Sequence, residues 1–217
     1  MTTQLPPATS PLRADAERNR RRILDAATTV FAEFGPAATL GDVARSAGVG
    51  IGTIYRKFPD KEALLDALLE DKIDTVMAVL DHAVAIDHPG IAFRTYLHGM
   101  IEVHAQDRSL ATVLFAPNRN ERVPPDISDR LGSTADRIIT GAIAADELRE
   151  GFTRQDTTVL AVMVGTIAAT TRSEDPDVWR RYAQIVVDGT RPSAHRDPLL
   201  PPPLPFTATA AALGRTL

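Results

Sequence analysis

The chain has 217 residues, 44% of them apolar, enough for one large domain or two small ones and too many for a generally disordered polymer. It lacks cysteine, which excludes a disulfide framework and any thiolate metal site, and no apolar run approaches the roughly 18 residues of a membrane span. The formal net charge of −4 is unevenly spread: nine Lys/Arg accompany six Asp/Glu between Arg13 and Lys61, against fifteen and twenty-two elsewhere, so a locally basic end sits on an acidic remainder.

Residues 1–15, with Pro6, Pro7 and Pro11, read as a flexible arm. From about Asp15 the spacing of Ile23, Ala27, Val30, Phe31 and Phe34 predicts a helix with one apolar face, ended by Gly35-Pro36. Arg20, Arg21 and Arg22 lie near its start, where the helix dipole disfavours cations. Phosphate is one partner that would account for them; a solvated basic turn is the other reading.

Thr39 to Phe58 reads as a helix-turn-helix. Thr39 can cap free N–H groups of a first helix, and Gly48 accepts the left-handed conformation of a tight exit. Val43, Ala47, Val49 and Ile54 supply the apolar inner faces, and Ala44 supplies the small contact that two steeply crossed helices need. The last apolar slot holds Lys57, so Phe58 is expected to take the packing role.

Pro59-Asp60 breaks the chain before a long amphipathic helix that buries Leu64, Leu65, Leu68, Leu69, Ile73, Val76 and Leu80. Helical periodicity returns over about 91–105, 108–115, 127–148, 155–172 and 176–189, with breaks at Pro117, Pro124-Pro125, Gly151 and Pro176. There is no sustained strand alternation and no internal repeat. The expected fold is all-α with about nine helices. Its divisions are an arm (1–15), a helix-turn-helix head (16–60), a body (61–190, with 61–84 as connecting helix) and a Pro-rich tail (191–217), in which 207–217 is Ala-rich enough for a short helix.

Phe31-Ala32-Glu33-Phe34-Gly35 before the motif and Tyr55-Arg56-Lys57-Phe58-Pro59-Asp60-Lys61-Glu62-Ala63-Leu64 after it resemble the DNA-binding domain of the TetR family of transcriptional regulators, over roughly residues 18–65. The resemblance implies an all-helical homodimer, and the lack of cysteine, of a spanning run and of an apolar N-terminus leads to the expectation of a cytoplasmic protein. It would bind double-stranded DNA at palindromic half-sites and release it when a small-molecule effector fills the C-terminal bundle. Ile51, Thr53 and Tyr55 are then expected to face the groove, and Thr39, Arg56, Lys57 and Lys61, with the three arginines, to complete the DNA-contacting set. Gly41, Gly50 and Ile51 stand where relatives often carry longer or polar side chains, which favours thymine-methyl contact and shape readout over bidentate hydrogen bonding. For Tyr55, packing against the core is the alternative.

The last two predicted helices carry the dimer expectation: a small-residue stripe of Ala161, Gly165, Ala168 and Ala169 beside Val178, Tyr182, Ile185, Val186 and Gly189, with intrachain packing as the alternative. Phe93, Tyr96, Met100, His104, Phe115, Met163 and Trp179 are the candidate effector-pocket residues, and for each taken singly core packing is the favoured alternative. No metal or cofactor is expected, since His98, Glu102 and His104 do not converge on one helical face. No His follows a Glu by three residues, and there is no phosphate loop, nucleophile elbow or Cys nucleophile, which argues against an enzyme. A helical adaptor that binds protein through its head is the remaining rival.

Overall fold

A computed structural model of the chain describes residues 11–107, 109–114, 123–192 and 198–216. Among these there are ten α-helices and one 3-10 turn, with no strand: α1 (Pro11–Phe34), the turn (Gly35–Ala37), α2 (Leu40–Ala47), α3 (Ile51–Lys57), α4 (Lys61–Val84), α5 (Pro89–Gln106), α6 (Ser109–Leu114), α7 (Pro125–Ala144), α8 (Arg154–Thr171), α9 (Trp179–Gly189) and α10 (Phe206–Thr216). The all-α expectation holds, with α10 arising from the Ala-rich tail. Helix α1 starts at Pro11 rather than near Asp15, because proline lacks only an N–H that the first helical turn leaves unpaired anyway. The chain divides into two compact units within α4, between Leu68 and Leu69.

In the first unit α1 packs on α2 and α2 on α3. Ile23, Ala27, Val30 and Phe31 are buried on the predicted face of α1, as are Val43, Ala47, Ile54 and Phe58 in the segment that follows; Phe34, expected on the same face, is 51% exposed. Phe58 is therefore inside, as the occupied Lys57 slot required. The exit of α2 turns on Gly48 at φ 63°, ψ 36°, where its N–H reaches Ala44 and Arg45 carbonyls. A Cβ there would meet no neighbour, so glycine is needed for its backbone angle alone.

In the second unit α5 is the central rod, packed against α7, α8 and α9. Its buried positions Ala92, Phe93, Tyr96, Leu97, Met100, Ile101, His104 and Ala105 recur at three and four, so more than one face is covered. Pro89 and the His88 side chain, which accepts from Ile91 N at 3.4 Å, start this helix. Arg172 from the end of α8 donates to Ala105 O at 2.8 Å and satisfies one of its last carbonyls. Helix α8 begins with a Thr153–Asp156 capping box, and α8 lies so close to α5 that a Cβ on Gly165 would stand 3.0 Å from His104 O. A buried Lys72–Asp107 ion pair joins α4 to the segment after α5. The helix expected to reach residue 148 stops at Ala144, because Asp146 takes a positive φ of 56°; Leu148 remains buried from the loop.

Candidate nucleic-acid interface and cavity

Helix α3 shows one face inward and one outward. Ile54 is fully buried, whereas Ile51 and Tyr55 are 47% and 53% exposed, and Thr53 is half-buried. Burying an isoleucine contributes about 1.5–3 kcal/mol, so Ile54 fixes the rotation of α3 and presents Tyr55 to solvent. The core-packing alternative for Tyr55 does not hold. Gly52 is also exposed, and a Cβ there would meet nothing within 4 Å.

Helix α2 is held by the capping box that Thr39 begins. Its N–H donates to Asp42 Oδ2 at 3.1 Å, its hydroxyl donates to the same oxygen at 2.5 Å, and Asp42 N donates back to Thr39 Oγ1 at 3.2 Å. The Thr39 hydroxyl and N–H, followed by Arg45 at 3.0 Å, hold the Asp42 carboxyl below its usual range. A group whose folded pKa is depressed stabilises the fold above its unfolded pKa and loses that contribution as pH falls through the folded value. Asp42→Asn is therefore expected to melt below the wild type near pH 6, with the difference closing as pH is lowered from about 4. A difference independent of pH in a melting series would contradict this.

The cations sort into different settings. Arg22 and Asn19 line an open depression with Gly48, Val49, Gly50 and Thr53, and so does Arg18, which sequence reading missed. Its signal was available, since residues 18 and 22 are one helical turn apart. Arg18 pairs with Asp15, Arg21 with Asp25 at 3.1 Å, and Arg22 donates to Asn19 Oδ1 at 3.1 Å. Arg20 is half-buried on the same helix, and Arg56 is exposed on α3. Lys57 donates to Ala16 O at 3.2 Å, and Lys61 lies over the Phe31 ring at 5.4 Å. Thr39 is exposed beside this surface.

The second unit contains a cavity of about 640 Å³ between α4, α5, α7 and α8, with Phe206 and Thr207 of α10 in its wall. Tyr96, Met100 and His104 line it as expected. Phe93 and Trp179 do not: Phe93 packs edge-on against Phe152 at 5.3 Å, and buried Trp179 lies in the core with Arg180 over its ring at 4.6 Å. Met163 is 56% exposed on the outer side of α8, and Phe115 lies outside the described residues. The residues that sequence reading missed include the α4 side chains Leu69, Ile73, Val76 and Leu80, together with Asp136, Arg154 and Phe206. Arg154 bridges the last group, at 3.2 Å from Asp136 Oδ2 and 5.6 Å from the Phe206 ring centre. Burial pushes the Tyr96 phenol up to about 12; the nearby Thr157 hydroxyl opposes that rise although its geometry falls short of a hydrogen bond.

The small-residue stripe of α8 turns inward. Ala161 and Ala168 are sealed in the core and Gly165 backs onto His104, so these three pack within the chain, a correction to their expected dimer role. Ala169, Val178 and Val186 are half-buried, while Tyr182, Ile185 and Gly189 are exposed on α9. Helix α8, packed beside α9, exposes Val159 and Met163 instead. Among the described residues no group of three or more His, Asp or Glu is placed to hold a metal ion, and no helix is long and apolar enough to cross a membrane.

A three-helix head with a buried turn contact and an outward-facing third helix, followed by a separate helical bundle, defines a helix-turn-helix regulator. The family model for bacterial regulatory proteins of the tetR family matches residues 23–68, and that for the SbtR-like transcriptional regulator C-terminal domain matches residues 88–192. The chain belongs to the TetR family, whose members are transcription regulators rather than enzymes. It is similar to the uncharacterized HTH-type transcriptional regulator Mb2274c of Mycobacterium bovis, 30% identical over 158 residues, covering 69% of this chain and 78% of that protein. The HTH-type transcriptional repressor LfrR of Mycolicibacterium smegmatis is 46% identical over 67 residues, but this spans only 31% of this chain and 35% of that repressor. The TetR transcriptional regulator SCO0520 of Streptomyces coelicolor has a similar crystal structure, with 28% identity, a TM-score of 0.53, and coverage of 81% of this chain and 99% of that one.

Proposed function

We propose that the chain is a cytoplasmic, sequence-specific repressor that binds a palindromic operator as a homodimer and leaves it when a small molecule fills the cavity. The observation that carries this reading is the orientation of α3, with Ile54 sealed and Ile51 and Tyr55 displayed. A helix held this way can lay Ile51, Thr53 and Tyr55 on base edges, with Thr39, Arg56, Lys57, Lys61 and the arginines of α1 (Arg18, Arg20, Arg21, Arg22) serving phosphates. LfrR is a transcriptional repressor by name, and its 67-residue likeness supports the same activity for this chain. Selection of genomic fragments by the purified protein tests the proposal. Recovered fragments should share a palindrome, and affinity should fall steeply between low and moderate salt as counterions re-occupy the phosphates. Fragments without a common site, or binding indifferent to salt, would favour the adaptor reading.

Dimerisation is assigned to the exposed apolar positions of α8 and α9: Val159, Met163, Tyr182 and Ile185, with Ala169, Val178, Val186 and Gly189 beside them. Each helix repeats its exposed positions at three or four residues, which leaves a stripe that water covers at a cost. Ile185→Glu is expected to halve the sedimenting mass at micromolar concentration with no change in helix content. Retention of the dimer would show that the interface lies elsewhere.

The cavity supports the release step. Helix α4 carries Ile73, Val76 and Leu80 in its wall and runs unbroken from Lys61. A ligand that shifts those side chains acts on a rigid element, and a coupling of about 1–3 kcal/mol gives a 5- to 150-fold change in operator affinity.

A further inference from the structure

His104 is a polar group in the cavity wall whose hydrogen bonding is incomplete among the described residues. It is 5% exposed, and its Nδ1 lies 2.9 Å from Met100 O, one turn back on α5. A carbonyl oxygen only accepts, so Nδ1 carries the proton and Nε2 carries the lone pair. Nε2 is buried and, among the described residues, has no hydrogen-bond partner. Desolvation holds the ring below its ordinary pKa, with the Met100 bond and Asp107 opposing, and the ring stays neutral. The α8 backbone at Gly165 packs against the His104 main chain and Cβ, which lie 3.0 Å (O) and 3.1 Å (Cβ) from where a Gly165 Cβ would be.

The charges around it point the same way. The lining contains Asp129, Asp136 and Arg154, and Arg154 is already engaged with Asp136 and the Phe206 ring. The remainder is mostly aliphatic or aromatic, with hydroxyls from Tyr96, Ser128, Ser133, Thr158 and Thr207. Among the described lining residues, two carboxylates and one occupied guanidinium leave no cation to receive an anionic head, and a lone pair at Nε2 repels one.

We infer that the cavity selects a mainly apolar, uncharged or cationic molecule that donates one O–H or N–H to His104 Nε2, and rejects carboxylates of the same shape. This rests on the reading of the cavity as an effector site. A matched pyrene series tests it, with binding followed by fluorescence anisotropy on the full-length protein: 1-hydroxypyrene and 1-aminopyrene as donors, 1-methoxypyrene without a donor, and 1-pyrenecarboxylate as the anion. The two donors are expected to bind about tenfold more tightly than the ether or the carboxylate. In His104→Phe that preference should vanish while ether binding persists, and in His104→Gln, which returns an acceptor oxygen, part of it should reappear. Equal binding of hydroxyl and ether by the wild type, tightest binding of the carboxylate, or an unchanged preference in His104→Phe would overturn the inference. Failure of every pyrene to bind would remove both the inference and the effector reading. Donor preference without any change in operator affinity would keep the inference and remove only the release step.

Discussion

Tyr55→Ala is expected to weaken operator binding by about a hundredfold or more while leaving the melting temperature within a degree or two of the wild type. The ring is 53% exposed and contributes little to the head's packing, yet it sits on the face of α3 that would meet the groove. In the proposed dimer, two copies make each lost contact count twice in the free energy. The adjacent residue is expected to do the reverse. Ile54→Ala removes a fully buried side chain at the α2–α3 contact and should cost about 2–5 kcal/mol of stability, lowering DNA binding only through the fraction unfolded. Operator titrations beside thermal melts of the two variants separate these effects. A Tyr55→Ala protein that binds as tightly as the wild type would refute the orientation assigned to the reading helix.

Gly165→Ala should destabilise the second unit by about 1–3 kcal/mol, and Gly165→Val by more. On helix propensity alone the alanine should stabilise α8 by up to about 1 kcal/mol, so the sign of the result decides which effect governs. The added Cβ would lie 3.0 Å from a backbone oxygen and 3.2 Å from the carbonyl carbon of His104, atoms that cannot rotate aside as a side-chain tip can. Relief requires α5 and α8 to part, and Ala161 and Ala168 then lose their contacts in the same seam. A urea titration measures the cost, and sedimentation adds the second half of the test. If Gly165 served the dimer instead, the valine variant would yield a folded monomer of undiminished stability.

The head was legible because its determinants are local. Thr39 and Asp42 close a box over three residues, Gly48 supplies one backbone angle, and Val43, Ala47 and Ile54 follow from spacing. Phe58 could be assigned inward for the same reason, since a lysine held the neighbouring slot. The cavity was not legible in this way. Asp136, Arg154 and Phe206 meet across three helices and about seventy residues of chain, a convergence that no periodicity records. Phe93 and Trp179 illustrate the converse: large apolar side chains satisfy a core as readily as a ligand site, and only the packing of α5 against its neighbours chooses. The α8 stripe announced that something approaches closely. It did not say whether the neighbour was α5 of the same chain or α8 of another.

Gly52 is the second residue of α3, the proposed reading helix, with open space where a side chain would project. A longer residue could be installed there without disturbing the scaffold, so target preference can drift by single changes that folding does not penalise. Such a position is raw material for divergence after gene duplication, and an economical starting point for redirecting the protein to a chosen promoter.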